Sequence, residues 1–380
     1  MATFRLLDAA PVSNPQAGDI LACAYSPDGA FLLSGAWDGH LRLWETNNGN
    51  QVTAFKASPK PVSACAVAPD GRAWLSGSLD GLLSQWDPVT HRQTSIFLAH
   101  PRPISTIVFG VDGRTLITAA WDGNVAVWQL ARDREARILA GHSDIVAGCR
   151  PTPGGESLLS WSYDGTARLW DLTTYAQQAE FSGHNDRVLA GAVSPDGRWA
   201  VTGSRDGMLK LWDLREGSEA ATTNVDPELR GCFFLAHGDA IVVVDAAGRL
   251  TLHSVPDLRE SEELATGLKV HCADLAASSQ QIALGCSDGQ VRLVAVNGLE
   301  DSPLVVIATQ ASRREATMFQ KFLGKSHLVH FYQCSCPVCR AVVPLASGEV
   351  GRLAMCSRCR RKLRVGGVRR STHEQEVPVA

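Results

Sequence analysis

Four cysteines near the C-terminus have the spacing of a metal site. Cys336 and Cys339 form one Cys-x2-Cys pair, Cys356 and Cys359 form another, and sixteen residues separate the two. Each pair sets two thiolates on one side of a tight knuckle, and four sulfurs around one ion meet the tetrahedral preference of zinc. The expected cofactor is one structural zinc ion, with iron in the same sulfur cage as the alternative. Four cysteines leave no open position for a substrate, so the role is structural. Cys334, beside the site, reads as a spectator, and His327 and His330 are not needed as ligands. The intervening AVVPLASGEVGRLAM, residues 341–355, reads as a hairpin whose two apolar arms bring the knuckles together.

A second constellation imitates a catalytic triad. His142, Ser160 and Asp164 have suitable types, but His184, Thr202 and Asp206 repeat their spacing, and so do His100, Thr118 and Asp122. Three evenly spaced sets are hard to reconcile with one active site. Buried polar groups need partners, and a hydrogen-bonded network in each repeat accounts for all three sets. No phosphate loop, nucleotide fingerprint or metal-hydrolase cluster is present. Nor does the regular repeat offer a cluster of acids converging on an axis. The expectation is a non-enzymatic protein without a small-molecule substrate.

The elements that would position these residues recur every 42 residues. Trp44, Trp86, Trp128, Trp170 and Trp212 keep that step, as do the Asp-Gly pairs beginning at Asp38, Asp80, Asp122, Asp164 and Asp206. Two weaker copies follow at a step of 41, Ala247-Gly248 and Asp288-Gly289. In LLSWSYDGTARLWDL, residues 158–172, two apolar runs flank a turn that glycine suits because it tolerates positive φ. A short strand precedes this hairpin and another follows it. Four short strands per repeat, with no helix-length apolar period, exclude alternating strands and helices.

With AGH (140–142), SGH (182–184), LWD (169–171 and 211–213) and SPDG (26–29 and 194–197), the chain resembles the WD-repeat β-propeller family over residues 1–310. The resemblance implies an all-β, seven-bladed ring, in which the His, Ser/Thr, Asp and Trp of a repeat share one network. Gln16 and Ser58 stand where blades one and two would carry the histidine. His253 and Val294 replace the tryptophan in blades six and seven, which are therefore expected to be less regular. Two segments compete to complete blade seven, residues 2–7 and residues 303–308.

Such a ring binds on its faces. The residue before each turn Asp points out from one of them, giving Trp37, Leu79, Trp121, Tyr163, Arg205, Ala246 and Ser287, with Lys60, Arg102 and Arg187 on neighbouring loops. Trp, Tyr and Arg dominate binding hot spots. Trp37, Leu79, Trp121, Tyr163, Arg205 and Arg187 are thus the candidate contacts for a protein partner. The alternative is that Trp37 and Trp121 pack over neighbouring blades.

The C-terminal module, residues 333–367, resembles a zinc ribbon. Residues 311–332 read as a connecting segment packed on the propeller and 368–380 as a disordered tail. The formal charge of −3 hides a division: residues 311–380 carry 13 Lys/Arg and 4 Asp/Glu. Arg358, Arg360, Arg361, Lys362 and Arg364 cluster at the last knuckle. They form a candidate contact for nucleic acid or for an acidic protein, including the chain's own propeller. Cys23, Cys65, Cys149 and Cys232 fall in one repeat register as small core residues, too far apart or wrongly faced for disulfides, and Cys272 and Cys286 join the core of blade seven. With no transmembrane-length apolar run and no secretory leader, the expected compartment is the cytoplasm and no membrane partner is expected. The function most consistent with these features is an interaction scaffold; the alternative is a nucleic-acid-associated protein using the basic module.

Overall fold

The computed structural model describes residues 3–6, 18–47, 49–129, 135–276, 281–297, 304–315, 327–335, 342–345, 353–355 and 362–370, with the backbone alone at residues 3, 5 and 6 and beyond residue 296. It divides into two compact units, Met1–Glu300 and Asp301–Ala380.

Each repeat of the first unit forms one four-stranded antiparallel sheet, and there are seven. Blade four shows the plan: Val146–Pro151, Ser157–Ser162, Ala167–Asp171 and Gln177–Phe181, innermost to outermost. The Asp-Gly turn joins the second strand to the third. Its glycine is required twice over: Gly81 has φ 79°, and a Cβ there would overlap the carbonyl of His100. The second strands are buried along almost their whole length, whereas the outermost strand Gln51–Lys56 alternates between half-buried and exposed positions. The core therefore lies between blades. Ile117, Val125 and Leu139 of blade three pack with Val146, Leu158 and Trp170 of blade four.

Consecutive inner strands adjoin around the ring, and the inner strand of blade seven, Val270–Ala276, adjoins that of blade one, Ile20–Tyr25. The ring closes through the N-terminal strand: Thr3–Leu6 pairs with Val291–Asn297, from Thr3 opposite Asn297 to Leu6 opposite Val294. Phe4 anchors it, packing into the core between blades six and seven while its N–H donates to Glu262 Oε1 at 3.2 Å. The competing segment goes elsewhere, since Leu304–Glu315 belongs to the second unit.

Loss of the tryptophan does not disturb the strand framework of the last two blades. The same register shift recurs near the start of every inner strand, from Ile20/Ala22 in blade one to Leu229/Gly231 and Val270/Cys272 in blades six and seven. His253 fills the tryptophan position of blade six and is buried, with Nε2 2.9 Å from Thr251 Oγ1 and Nδ1 3.3 Å from the Leu258 carbonyl.

The second unit is a five-stranded sheet in the order Val342–Leu345, His327–Ser335, Leu304–Glu315, Lys362–Arg370, Leu353–Met355. Two expectations change here. The segment 311–332 is not a plain connector: half of it, residues 311–315 and 327–332, falls in two paired antiparallel strands, where Thr309 opposes Gln333 and Glu315 opposes His327. The arms of the expected hairpin, within residues 341–355, do not pair with each other; they form opposite edges of the sheet. Val342–Leu345 pairs with the strand before it and Leu353–Met355 with the strand after it.

Candidate functional site

The triad-like sets are closed networks. In blade four the Trp170 indole N–H donates to Ser160 Oγ at 2.8 Å, Ser160 Oγ lies 2.8 Å from His142 Nε2, and His142 Nδ1 lies 2.8 Å from Asp164 Oδ2. The indole can only donate, and a carboxylate only accepts. The serine proton therefore points to Nε2, and Nδ1 carries the proton shared with Asp164. Blades three and five repeat the chain through Thr118 and Thr202. Ser160, Thr118 and Thr202 are all fully buried. A would-be nucleophile that water cannot reach, and whose oxygen already accepts an indole N–H, has no route to substrate. Burial acts to raise Asp164, but hydrogen bonds from His142 and Thr166 outweigh it and hold the carboxyl below its ordinary range. Where the histidine is missing, other groups substitute. The Arg42 guanidinium pairs with Asp38 in blade one, and Asp80 in blade two accepts the Ser78 hydroxyl.

The seven positions before the turn Asp do share one face. Each donates its backbone N–H to a carbonyl of the loop leading into the inner strand, from Trp37 to Asp19 through Tyr163 to Ile145 and on to Ser287 to Lys269, at 2.8–3.1 Å. Trp37 is 57% and Trp121 50% exposed, so neither is packed away against a neighbouring blade. Leu79 is half-buried between their blades, and Arg205 is exposed. Tyr163 is half-buried beneath the exposed Arg187, whose guanidinium carbon lies 4.9 Å from the ring centroid. Positions 37, 79, 121 and 163 thus make an apolar and aromatic arc over four consecutive blades, ending at two arginines. Ala246 and Ser287 complete the ring without adding to it.

The axis carries chemistry that the repeat had concealed. Inner strands of all seven blades line a cavity of about 600 Å³. Arg150 and Asp274 occupy the same register position in blades four and seven, where the other blades place Ala24, Ala66, Val108, Ala192 and Phe233. They meet at 3.7 Å. Burial raises Asp274 above the ordinary carboxylate range, although Arg150 and the Tyr25 N–H, 3.0 Å from Oδ2, act to lower it. The regular repeat thus conceals one asymmetric pair on the axis, whose two opposite charges answer each other. The signal was available: aligning the inner strands leaves one Arg and one Asp among five apolar residues.

The cysteines divide. Cys65, Cys149, Cys232 and Cys286 are buried as expected, with burial pushing Cys149, Cys232 and Cys286 up to about 12. Cys272 is not a core residue. It is half-buried, and its Sγ lies 3.4 Å from that of Cys23, so inner-strand cysteines of different blades do meet at this one place.

Cys336, Cys339, Cys356 and Cys359 lie outside the described residues, as do Arg358, Arg360, Arg361 and residues 371–380 of the expected tail; Lys362, Arg364 and residues 368–370 fall in the strand Lys362–Arg370. No group of metal-binding side chains occurs among the described residues. No helix among them is long and apolar enough to cross a membrane.

The WD40 family model (WD domain, G-beta repeat) matches residues 12–45, 49–87, 91–129, 134–171 and 176–213. They span the first five blades except the outermost strand of blade five, Ser218–Asn224. No curated relative matches the chain.

Proposed function

Since five WD40 repeats stand within seven equivalent blades, the chain is a WD-repeat β-propeller, and we propose that it is a non-enzymatic scaffold whose protein partner docks on the arc of Trp37, Leu79, Trp121 and Tyr163. WD40 propellers generally act as protein-interaction scaffolds. The observation that carries the reading is the exposure of two tryptophans at equivalent positions on one face. A tryptophan buries about 150–250 Å² when covered, and such residues anchor interfaces at roughly 2 kcal/mol or more each. Arg187 and Arg205, at the end of the arc, suit a partner segment that combines apolar and acidic side chains.

The test is affinity purification from source cells with the wild type and with Trp37→Ala/Trp121→Ala. Both side chains are largely in solvent, so the double variant should melt like the wild type while losing its partners. An unchanged partner set with an intact fold would refute this surface.

In the second unit the donor set suits zinc, and the strand register supports it. In sequence, Cys336 and Cys339 fall between the paired residues Ser335 and Val342, and Cys356 and Cys359 between the paired residues Met355 and Lys362. Gln333 opposes Thr309 and Leu363 pairs with Leu304, so both of these paired ends lie where the central strand begins. Bound there, zinc would tie two strand pairs together without a reactive position. The net charge of +9 over residues 311–380 favours a second reading, contact with nucleic acid. Phosphate contacts are strongest at low salt, so a full-length chain that binds neither DNA nor RNA at low ionic strength removes that reading.

A further inference from the structure

We propose that Cys23 and Cys272 form a redox-sensitive pair at the seam where the ring closes, and that a peroxide-class oxidant entering the axial cavity links them as a disulfide between blade one and blade seven. The argument begins with the strand register. At each seam, one inner-strand residue of a blade faces the next residue position of the following blade. Gly231 faces Ala273, since a Cβ on Gly231 would lie 3.6 Å from that of Ala273, and Gly148 and Gly191 both abut the Trp161 ring. Three of the remaining seams put one cysteine in this arrangement, as Ala22–Cys65, Thr106–Cys149 and Ala190–Cys232. Only the closing seam puts two there.

The local packing leaves room for both sulfurs. Cys272 lies opposite Gly285 on the second strand of its blade, and a Cβ on Gly285 would overlap the Cys272 sulfur and come within 3.1 Å of that of Cys23. The sulfurs are 3.4 Å apart, so bond formation at about 2.05 Å needs a closing movement of little more than an ångström. Both residues are half-buried and line the axial cavity, whereas Cys65, Cys149 and Cys232 line it but are buried. A small oxidant therefore has access to this pair first. The hydrogen bond from Cys272, together with burial, holds the Cys23 thiol well above its usual range. The pair therefore reacts faster at alkaline pH, because the thiolate is the nucleophile.

The chemistry balances. One thiol, as thiolate, attacks a peroxide oxygen, breaking the O–O bond to give a sulfenic acid and one water. The other thiol then attacks the sulfenic sulfur, forming the S–S bond and releasing the second water. The two thiols lose two electrons and two protons, and hydrogen peroxide becomes two waters. The new bond would close a loop of roughly 250 residues across the seam.

The experiment treats the folded full-length chain with hydrogen peroxide at mildly alkaline pH, blocks free thiols, and maps tryptic peptides without reduction. Residues 6–42 contain only Cys23, while residues 270–292 contain Cys272 and Cys286, so fragmentation between Leu275 and Leu284 assigns the link. The expected result is a Cys23–Cys272 peptide, a melting temperature raised by several degrees, and reversal of both by dithiothreitol. Cys272→Ala should melt like the reduced wild type and gain nothing from peroxide. The proposal is overturned if the cysteines between residues 334 and 359 oxidise while Cys23 and Cys272 stay free. It is equally overturned if either thiol proceeds to sulfinic acid unlinked, or if the link forms only in denatured protein. These readings on the wild type stand even if a variant misfolds.

Discussion

The residues most suggestive of catalysis are the ones the fold has closed. His142, Ser160 and Asp164 have triad geometry, yet the Trp170 indole occupies the oxygen that would attack, and no solvent reaches it. What the network supplies is satisfaction of buried polar groups in one proton arrangement, and that makes stability depend on pH. Burial lowers His184 despite Asp206, and burial likewise lowers His253. A histidine whose folded pKa is depressed leaves the unfolded state binding more protons as pH falls below about 6.5, so its contribution is full above that pH and declines below it. Asp122, Asp164 and Asp206 are also lowered, their hydrogen bonds outweighing the opposing effect of burial, and their contribution declines only below about pH 4. Urea melts across pH 8 to 3 should accordingly weaken in two steps, and His184→Gln should diminish the upper one. A single loss confined to below pH 4 would contradict the assignment of neutral, buried histidines. The three networks were legible because the sequence period lines them up. The Cys23–Cys272 contact was not, because Cys272 stands one position before the register shared by Cys23, Cys65, Cys149 and Cys232. Neighbouring residues of a strand face opposite sides, and Cys272 thereby faces the first blade.

Blades are interchangeable in strand order but not in how their seams are filled. Four blades place a glycine, Gly35, Gly77, Gly203 or Gly285, at the position that blade four gives to Trp161. The first three of these glycines admit Val62, Ile104 and Leu229 from the next blade. Around Trp161 the accommodation is reversed: Gly148 and Gly191 are the small residues, and a Cβ on either would overlap the indole. Gly191→Ala should therefore cost about 1–3 kcal/mol by overpacking. Trp161→Ala should cost about 3–5 kcal/mol by cavity formation, tempered because the buried indole N–H has no partner to lose. The two should not add: with the ring gone, an alanine at 191 enters free space, and the double variant should be no less stable than Trp161→Ala alone. Additive losses in a denaturation cycle would show that the ring and the glycine are not competing for one volume. At this scale the sequence exposes strands better than their partners. Apolar runs mark Val342–Leu345 and Leu353–Met355 as strands, but say nothing of pairing. The longer strands Leu304–Glu315 and His327–Ser335 offer more backbone hydrogen bonds, and the short arms join the sheet built on them.

At the scale of the whole molecule, composition divides where the units divide. Residues 311–380 carry a formal charge of +9 against −12 for the rest of the chain, and all ten tryptophans lie before residue 300. Tryptophan emission therefore reports the propeller alone, which makes the role of the metal separable from the stability of the ring. The propeller holds itself through seven inter-blade cores and a closing strand. The second unit is small, and a segment of that size seldom supplies enough apolar burial to fold unaided. A four-cysteine zinc site contributes roughly 10–16 kcal/mol of apparent binding free energy, much of which becomes folding free energy. The expected outcome is one zinc per chain by elemental analysis, lost in Cys336→Ser/Cys356→Ser. Chelation should expose backbone amides of Leu304–Glu315 and His327–Ser335 to hydrogen exchange while the tryptophan emission and the main melting transition stay in place. Stoichiometric zinc retained in the double variant would show that the ligands lie elsewhere. Protection unchanged by chelation would show instead that the five-stranded sheet holds itself, leaving the basic strand Lys362–Arg370 presented by backbone pairing rather than by an ion.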